Sequence, residues 1–322
     1  MTKLVTRAEL WTIAKFPINY FLENLSVRAD NSLLITVLNH KELWYVPPYK
    51  GLEVDPLRLC KFDEAAMGIV EIQPDIFLIA TSNLWTDHRS VLHRLDMRNW
   101  AIGSPLDIRP VFEFPSEVRG LNGACVISRD TILVADSFAG LIWRVRLTAD
   151  ATAASADVWM RHESMESLPD GLMPDQPGIN GLAYGPQAGY VYYTSTARQL
   201  FMRVRVEPMT GDVASEPEFI ADGMMGDDLC IDEDLNVAYI ATHRQNTIDR
   251  VVLEVGLPGR PRDSVVGQPF TEELLGPTTG RWGRGPGDVG KTAFFLTDGG
   301  IKAPMPDGSL REARVLQVQF KP

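Results

Sequence analysis

The sequence has little of what marks several common classes of protein. Three of its 322 residues are cysteine, Cys60, Cys125 and Cys230, which is too few for a disulfide framework, so we expect free thiols. No apolar run has the length of a signal-peptide core or a membrane span, and we therefore expect a cytoplasmic protein without a membrane partner. Positive charge is also scarce. The net charge of −11 argues against a nucleic-acid or anionic-membrane partner.

Long amphipathic helical periodicity is missing as well, and short apolar strands take its place. One pattern recurs six times, at intervals of roughly 45–60 residues: a polar residue, a short apolar strand, a turn, a second apolar strand and a polar tip. The clearest copies occupy residues 121–136, 179–194 and 227–242, and looser copies begin near Leu25, Gly68 and Gly276. Repeats of this kind are typical of the blades of a β-propeller.

Six copies predict an all-β fold, a six-bladed β-propeller that forms a single domain over residues 1–322. The last copy lacks a fourth strand downstream, whereas residues 10–16, near the other end of the sequence, read as a strand without a blade. We therefore predict that this N-terminal strand completes the sixth blade. Closing the ring in this way also removes open sheet edges, which would otherwise invite association.

A propeller of this kind gathers polar residues from all its blades at one place. The innermost strand of each blade starts at a central funnel, and the loop between the second and third strands returns to the same face. The starts of the innermost strands contribute Glu23, Asn122, Asn180, Asp227 and Thr278, and the loops contribute, among others, Trp85, Phe138, His243 and Asp298.

Three of these positions lie in short motifs that resemble those of the senescence-marker-protein-30/gluconolactonase superfamily. The motifs are Glu23-Asn24-Leu25, Asn180-Gly181-Leu182 and the stretch of residues 227–232. The glutamate has lost the Gly-Pro that follows it in the family, and Asp228-Leu229 replaces the family's Gly-Met. The resemblance implies a six-bladed propeller with a divalent metal at the funnel floor.

The same resemblance implies Glu23, Asn180 and Asp227 as the metal ligands and Asn122 as a contact to water or substrate. Carboxylate and amide oxygens suit Ca²⁺ or another divalent ion. Members of the family use the metal to polarise a lactone carbonyl and to activate water, which implies a lactonase. An alternative interpretation is structural, because Asn and Asp at the start of a strand also bond their own backbone.

Apolar residues in the predicted funnel loops favour a small hydrophobic substrate. Aromatic and methionine side chains offer a large, adaptable contact surface, which a sugar lactone does not need. The candidate substrate-binding residues are Trp85, Phe138, Met224, Met225 and Trp282, together with Asp298. Packing inside the blades is the alternative role for each of the apolar ones.

Residues 22–28, followed by residues 33–36, resemble a fungal branch of the superfamily that includes hetero-Diels–Alderases. These enzymes join a tropolone quinone methide to a humulene-type terpene. The resemblance implies a cycloaddition that requires no cofactor. Hydrogen bonds from His243, Asn122 or Asn180 to the heterodiene oxygen would then stabilise the developing charge, which makes these three the candidate catalytic residues. We predict a cyclase of this type, with a metal-dependent lactonase as the first alternative and a non-catalytic binding scaffold as the second.

Overall fold

The computed structural model describes residues 7–168, 176–256, 262–268 and 271–321. The regular elements of these residues are 24 strands and one short 3-10 turn at Glu163–Met165. None of the described residues belongs to a helix that is long and apolar enough to cross a membrane.

The strands are short and follow one another along the chain without interruption by α-helices in the described part. In chain order they are β1 (Arg7–Ile18), β2 (Leu22–Val27), β3 (Leu33–Val37), β4 (Glu42–Val46), β5 (Leu57–Lys61), β6 (Ala65–Gln73), β7 (Ile76–Ser82), β8 (Ser90–Asp96), β9 (Asp107–Glu113), β10 (Leu121–Ser128), β11 (Thr131–Asp136), β12 (Leu141–Leu147), β13 (Ala153–Arg161), β14 (Ile179–Gly185), β15 (Tyr190–Ser195), β16 (Leu200–Arg205), β17 (Glu218–Asp222), β18 (Gly226–Asp232), β19 (Val237–Thr242), β20 (Thr247–Val252), β21 (Asp263–Gly267), β22 (Pro277–Trp282), β23 (Thr292–Thr297) and β24 (Glu312–Lys321).

These strands form six four-stranded sheets, which are the blades of a propeller. Blades 1 to 5 take four consecutive strands each, from β2–β5 to β18–β21. The innermost strands are β2, β6, β10, β14, β18 and β22; each contacts the next, and β22 contacts β2, so the ring is closed. The predicted six-bladed all-β architecture is confirmed.

Blade 6 is completed by the N-terminal strand, as predicted. Its strand order is β1-β24-β23-β22, and β1 runs antiparallel to β24 with Trp11 opposite Gln317 and Phe16 opposite Ala313. The outermost strands of blades 1 and 5, β5 and β21, carry no clear apolar pattern in the sequence. They lie at the perimeter of the ring, where most of their residues are exposed or half-buried.

The core of the protein lies between the blades. Strands in the middle of a blade pack against a neighbouring blade on both faces, so their residues are apolar almost throughout instead of alternating. Strand β3 is buried at all five positions, for example. The three cysteines are free, as predicted, and burial raises the pKa of the Cys125 thiol to about 12.

Each innermost strand contains a β-bulge close to its start. In β14, Ile179 lies opposite Ser195 but Leu182 lies opposite Tyr193, so three residues of β14 span two of β15. The same one-residue excess occurs at the corresponding place in β2, β6, β10, β18 and β22. A bulge redirects a side chain, and here it does so at the same level in every blade.

The innermost strands approach one another closely at these bulges. A Cβ atom added to Gly181 would lie 2.7 Å from the Asp227 carbonyl oxygen, and one added to Gly123 would lie 2.7 Å from the Asn180 carbonyl oxygen. Only glycine fits such contacts between backbones. This explains why glycine follows Asn122 and Asn180 in the sequence.

Replacing Phe16 by alanine tests whether β1 seals the ring. Phe16 is 1% exposed and packs edge-on against Trp44 of blade 1, with ring centroids 5.1 Å apart. We expect Phe16→Ala to lower the free energy of unfolding by about 3–5 kcal/mol, measured by urea denaturation. Ile18→Ala is the matched control, because Ile18 belongs to the same strand but is 57% exposed. Equal losses from both variants would contradict the packing of β1 described here.

Candidate functional site

One end of the central channel opens into a cavity of about 800 Å³. Its floor is formed by the residues that the bulges present in five of the blades: Glu23, Met67, Asn122, Asn180 and Asp227. Loops of all six blades form the wall above this floor. In blade 6, Thr278 has the corresponding position, but its hydroxyl donates to the Leu22 carbonyl oxygen at 2.7 Å.

The structure brings most of the sequence-predicted site residues together in this cavity. They are the candidate catalytic residues His243, Asn122 and Asn180, the candidate metal ligands Glu23, Asn180 and Asp227, and two of the candidate substrate-binding residues, Trp85 and Phe138. Side chains from five blades thus share one space, although they are far apart in sequence.

Two of the predicted substrate-binding residues lie elsewhere. Met224 is 0% exposed and packs in the core between blades 4 and 5. Trp282 lies at the far end of β22, where its indole Nε1 donates to the Ile231 carbonyl oxygen at 2.6 Å and its ring packs edge-on against Tyr239. Trp282 lines a second cavity, because it ends the strand that starts at the funnel. The prediction that these two residues bind substrate in the funnel is therefore wrong.

Met225 and Asp298 are close to the cavity but do not line it. Met225 is half-buried, and its backbone N–H donates to the Gln245 side chain at 2.9 Å. Asp298 is completely buried behind His243. The structure thus gives Asp298 a supporting position instead of the substrate contact that we predicted.

Several lining residues were not anticipated from the sequence. Met67 occupies the floor position of blade 2, and the pair Met67-Gly68 repeats the pattern of Asn122-Gly123 and Asn180-Gly181, so the signal was present. The remaining ones lie in loops of irregular length, which carry no such signal: Asn19, Phe21, Leu38, Leu84, Arg119, Gln176, Pro177, Arg244, Ile301 and Lys302.

The amide of Asn180 is held in one orientation. The Thr196 hydroxyl donates to the Gly226 carbonyl oxygen at 2.6 Å, so its own oxygen is left to accept from Asn180 Nδ2 at 3.0 Å. Asn180 Oδ1 is buried and has no hydrogen-bond partner among the described residues. A buried acceptor without a partner costs about 1–3 kcal/mol, which makes this oxygen a position for a ligand.

Two carboxylates share the floor with this oxygen. Glu23 and Asp227 are each 5% exposed. Burial, together with the nearby Asp228 and Asp298, raises the pKa of Glu23 to about 8. Burial and the neighbouring Glu23 raise the pKa of Asp227 well above its usual range. Among the described residues no lysine or arginine pairs with either carboxylate, and the basic side chain that approaches them is His243, whose Nδ1 lies 3.6 Å from Asp227 Oδ2.

His243 lies between two carboxylates at the edge of the floor. Its Nε2 is 2.9 Å from Asp298 Oδ2, and its Nδ1 is 3.6 Å from Asp227 Oδ2. Asp298 also accepts from the Gly300 N–H through Oδ1 at 2.7 Å, which keeps its carboxylate in place. Since a carboxylate only accepts, Nε2 carries a proton, and Nδ1 is the nitrogen on the Asp227 side.

A polar layer follows the floor along the innermost strands. Asp228 Oδ2 accepts from Asn24 Nδ2 at 2.6 Å, from Thr279 Oγ1 at 3.1 Å and from Arg281 Nη2 at 3.2 Å. Arg281 therefore compensates the charge of Asp228. Arg281 also lines the second cavity, of about 410 Å³, so this layer separates the two cavities.

The donor set of the floor fits a hard divalent cation. Glu23 and Asp227 offer carboxylate oxygens without a cationic partner, and Asn180 offers the unpaired Oδ1. No group of three or more His, Cys, Asp or Glu side chains in the described ranges is arranged to hold a metal ion. A cation would thus have two carboxylates and one amide as protein ligands, with water or substrate completing its coordination.

No family model and no curated protein matches the sequence. Solved structures do match the fold. A luciferin-regenerating enzyme has a TM-score of 0.68 at 14% identity, over 97% of this chain and 95% of that one. The calcium-binding protein regucalcin from Agrobacterium tumefaciens has a TM-score of 0.62 at 15% identity, over 96% and 95%.

A gluconolactonase from Xanthomonas campestris has a TM-score of 0.63 at 11% identity, over 98% of this chain and 90% of that one. These structures share the six-bladed propeller fold with this chain. Identities this low carry the fold and not the chemistry. None of these three proteins is named as a cyclase, so the fungal cyclase branch gains no support from them.

The raised pKa of Glu23 predicts how stability depends on pH in the presence of a chelator. The folded protein holds a proton on Glu23 up to about pH 8, whereas the unfolded chain releases it near pH 4.5. The contribution of Glu23 to stability is therefore fully present below about pH 4.5 and is lost as the pH rises towards 8. We expect Glu23→Gln to remove much of this loss, measured by chemical denaturation at several pH values.

Glu216→Gln is the matched control, because Glu216 is exposed in a loop between β16 and β17. This variant should keep the pH profile of the wild type. If Glu23→Gln and the wild type instead gave parallel profiles between about pH 5 and about pH 8, the buried, uncompensated state of Glu23 would be disproved.

Proposed function

We propose that the protein is a hydrolase that opens a lactone or ester of a largely apolar molecule, with a divalent cation bound by Glu23, Asn180 and Asp227. One observation carries this proposal: the unpaired Asn180 Oδ1 lies on the same floor as two buried carboxylates without a cationic partner. A cation would satisfy all three at once. The similar structures support it, since one is a calcium-binding protein and another a gluconolactonase.

The bound cation would polarise the substrate carbonyl and lower the pKa of a water molecule. Side chains of the protein would orient the groups and accept the proton of the water molecule. Asp298 fixes the tautomer of His243, so that Nδ1 is available on the Asp227 side to accept a proton from water. Glu23 would hold the cation in its ionised form, since a ligand carboxylate must be deprotonated.

The wall of the cavity determines what kind of lactone or ester fits. Phe21, Met67, Trp85 and Phe138 line it with apolar surface. The volume of about 800 Å³ lies in the range of pockets that hold drug-sized ligands, well beyond what a monosaccharide lactone fills. A bulky apolar substrate would also displace water from the floor, which strengthens the electrostatic interactions there.

The proposal is tested by removing the amide oxygen. We expect Asn180→Leu to lower hydrolysis of a medium-chain lactone by about 100-fold or more. We also expect it to abolish the rise in melting temperature that Ca²⁺ causes in the wild type, which reports binding independently of turnover. Asn180→Asp should keep both effects, because it restores an oxygen at the same place.

Met67→Leu is the matched control, because Met67 has the same bulge position in blade 2 but offers no oxygen ligand. It should keep the Ca²⁺-dependent stabilisation. Full lactone hydrolysis in excess chelator, or an unchanged Ca²⁺ effect in Asn180→Leu, would refute the proposal.

A cyclase remains the second candidate, because the cavity has room for two apolar partners and an apolar wall to align them. The hydrogen bonds of the candidate catalytic side chains favour a cyclase less than a hydrolase. Asn180 Nδ2 is used by Thr196, and His243 Nε2 is used by Asp298. Of the three donors that we assigned from the sequence, Asn122 alone has no side-chain hydrogen bond within the described residues.

Cycloaddition is distinguished from hydrolysis by the stereochemistry of its product in chelator. A cyclase would give one enantiomer of the adduct from a quinone methide and a terpene alkene, and Asn122→Leu would return the product to the uncatalysed mixture. For the hydrolase proposed here we expect that uncatalysed mixture with the wild type as well. A single enantiomer that depends on Asn122 would establish the cyclase instead.

A further inference from the structure

The second cavity lies at the other end of the central channel, and the proposed function does not use it. It has a volume of about 410 Å³ and is formed mainly by the far halves of the innermost strands of blades 2 to 6. Aliphatic side chains from four blades line it together with the indole of Trp282; they are Val70, Val126, Leu182, Leu229 and Ile231. A wall of this composition favours an apolar ligand.

Two cysteine residues belong to the same wall and add no charge to it. Cys125 of blade 3 and Cys230 of blade 5 line the cavity, and both are more than nine-tenths buried. Burial raises the pKa of the Cys125 thiol to about 12, and it also raises the pKa of the Cys230 thiol. Both thiols therefore stay protonated at neutral pH, and a protonated thiol behaves as a small apolar group.

The inner end of the second cavity presents a hydrogen-bond donor. Arg281 reaches it from blade 6, and its Nη2 donates to Asp228 Oδ2 at 3.2 Å, so the charge of the guanidinium is compensated. Its Nη1 donates to the carbonyl oxygens of Leu229 and Gly280, at 3.0 Å each. The Nε–H group has no hydrogen-bond partner among the residues that the structure describes. An acceptor of a ligand can therefore bond to Nε without breaking an existing hydrogen bond.

The outer end of the second cavity is acidic and selects against anions. Asp232, Glu233 and Asp234 lie there, at the end of β18 and in the turn that follows it. Glu233 accepts from the backbone N–H groups of Gln187 and Ala188, at 3.2 and 2.9 Å, and no lysine or arginine in the described part of the chain forms an ion pair with any of the three carboxylates. Charge of one sign at the mouth of an apolar cleft repels ligands of the same sign. A cationic group would in turn be costly to bury in the apolar interior, so a neutral ligand is favoured.

We propose that the second cavity binds a neutral, largely apolar molecule of one or two rings that carries a hydrogen-bond acceptor at one end, such as an aromatic ketone. The rings pack against the aliphatic side chains and Trp282, and the acceptor oxygen receives the Nε–H of Arg281. A volume of about 410 Å³ lies in the lower part of the range of ligand pockets, which limits the size of the ligand. The inference goes beyond the proposed function, because it concerns the opposite end of the channel and involves no hydrolysis.

A fluorescent ketone tests the inference by equilibrium titration. The emission of 6-propionyl-2-(dimethylamino)naphthalene shifts to the blue when the molecule enters an apolar site. We expect this shift with the wild type, and we expect the dissociation constant to rise by about tenfold or more in Val126→Phe, because the added ring occupies space that the naphthalene needs. An unshifted emission with the wild type would overturn the inference.

Ile127→Phe is the matched control. Ile127 follows Val126 in β10 and is also half-buried, but it points to the other face of the strand, where it lies against Gly211. This variant should bind the ketone within about twofold of the wild type, and an equal loss in both variants would contradict the proposed location. If Val126→Phe does not fold, as judged by urea denaturation, Val70→Phe takes its place, since it fills the same cavity from blade 2.

The larger cavity at the other end of the channel is also partly apolar, and Phe138→Ala separates the two locations. Phe138 belongs to the wall of the larger cavity and not to that of the second one. The affinity that is lost in Val126→Phe should therefore be kept in Phe138→Ala. If the affinity falls in Phe138→Ala and not in Val126→Phe, the ketone lies in the larger cavity and the inference is wrong.

Two relatives of the ketone test the chemical class of the ligand. 2-(Dimethylamino)naphthalene has the same rings without the acceptor, and we expect it to bind about tenfold more weakly. 6-(Dimethylamino)-2-naphthoic acid carries a carboxylate in place of the ketone, and it should also bind more weakly, because the mouth of the cavity is acidic. Equal affinities for the ketone and the amine without it would rule out the hydrogen bond to Arg281. A carboxylate that bound more tightly than the ketone would show that the ligand is an anion instead of a neutral molecule.

Discussion

The bulge near the start of each innermost strand is repeated six times around the ring, and in five blades it directs a side chain into the same cavity. A regular strand would alternate its residues between the two faces of the blade, where they meet the neighbouring blades. The extra residue interrupts this alternation at one level of the propeller. Glu23, Met67, Asn122, Asn180 and Asp227 therefore meet, although each belongs to a different blade.

The chemistry of the site follows from the unequal compensation of its buried carboxylates at the level of the bulges. Asp228 is compensated by Arg281 directly below the floor, and His243 lies between Asp227 and Asp298 at its edge. Glu23 and Asp227 are left with raised pKa values, beside an amide oxygen without a partner. A protein core usually avoids such an arrangement, because burial of uncompensated charge is costly. Its presence at the bottom of a large cavity is the reason to expect a ligand there.

The blades and some of the floor residues could be predicted from the sequence, for reasons that differ between residues. The blades were visible because short apolar strands and turns repeat, and β1 was assigned to blade 6 because that blade lacked a strand. Asn122-Gly123 and Asn180-Gly181 marked two floor positions, since the glycine is required where the innermost strands nearly touch.

Other parts of the site could not be predicted in this way. Met224 and Met225 are neighbours in one loop, yet the first is in the core and the second is not, and loop conformation decides this. Trp282 was misplaced because it lies four positions further along the strand than Thr278, which carries it about 12 Å from the floor. Arg244 and Lys302 lie in loops whose sequences carry no repeat, so their place in the cavity wall became visible only in three dimensions.

Blade 6 combines the first strand with the last three, and this affects how the protein folds. Strand β1 precedes all others in synthesis and β24 follows all of them, yet the two are hydrogen-bonded neighbours. The sixth sheet cannot form until every other strand has left the ribosome, and until then β1 has no β24 to pair with. Contacts between strands so distant in sequence form slowly. A chain whose β24 has not yet been made therefore lacks a complete blade 6, and the sheet that joins blade 5 to blade 1 around the cavity is missing its second strand from the rim.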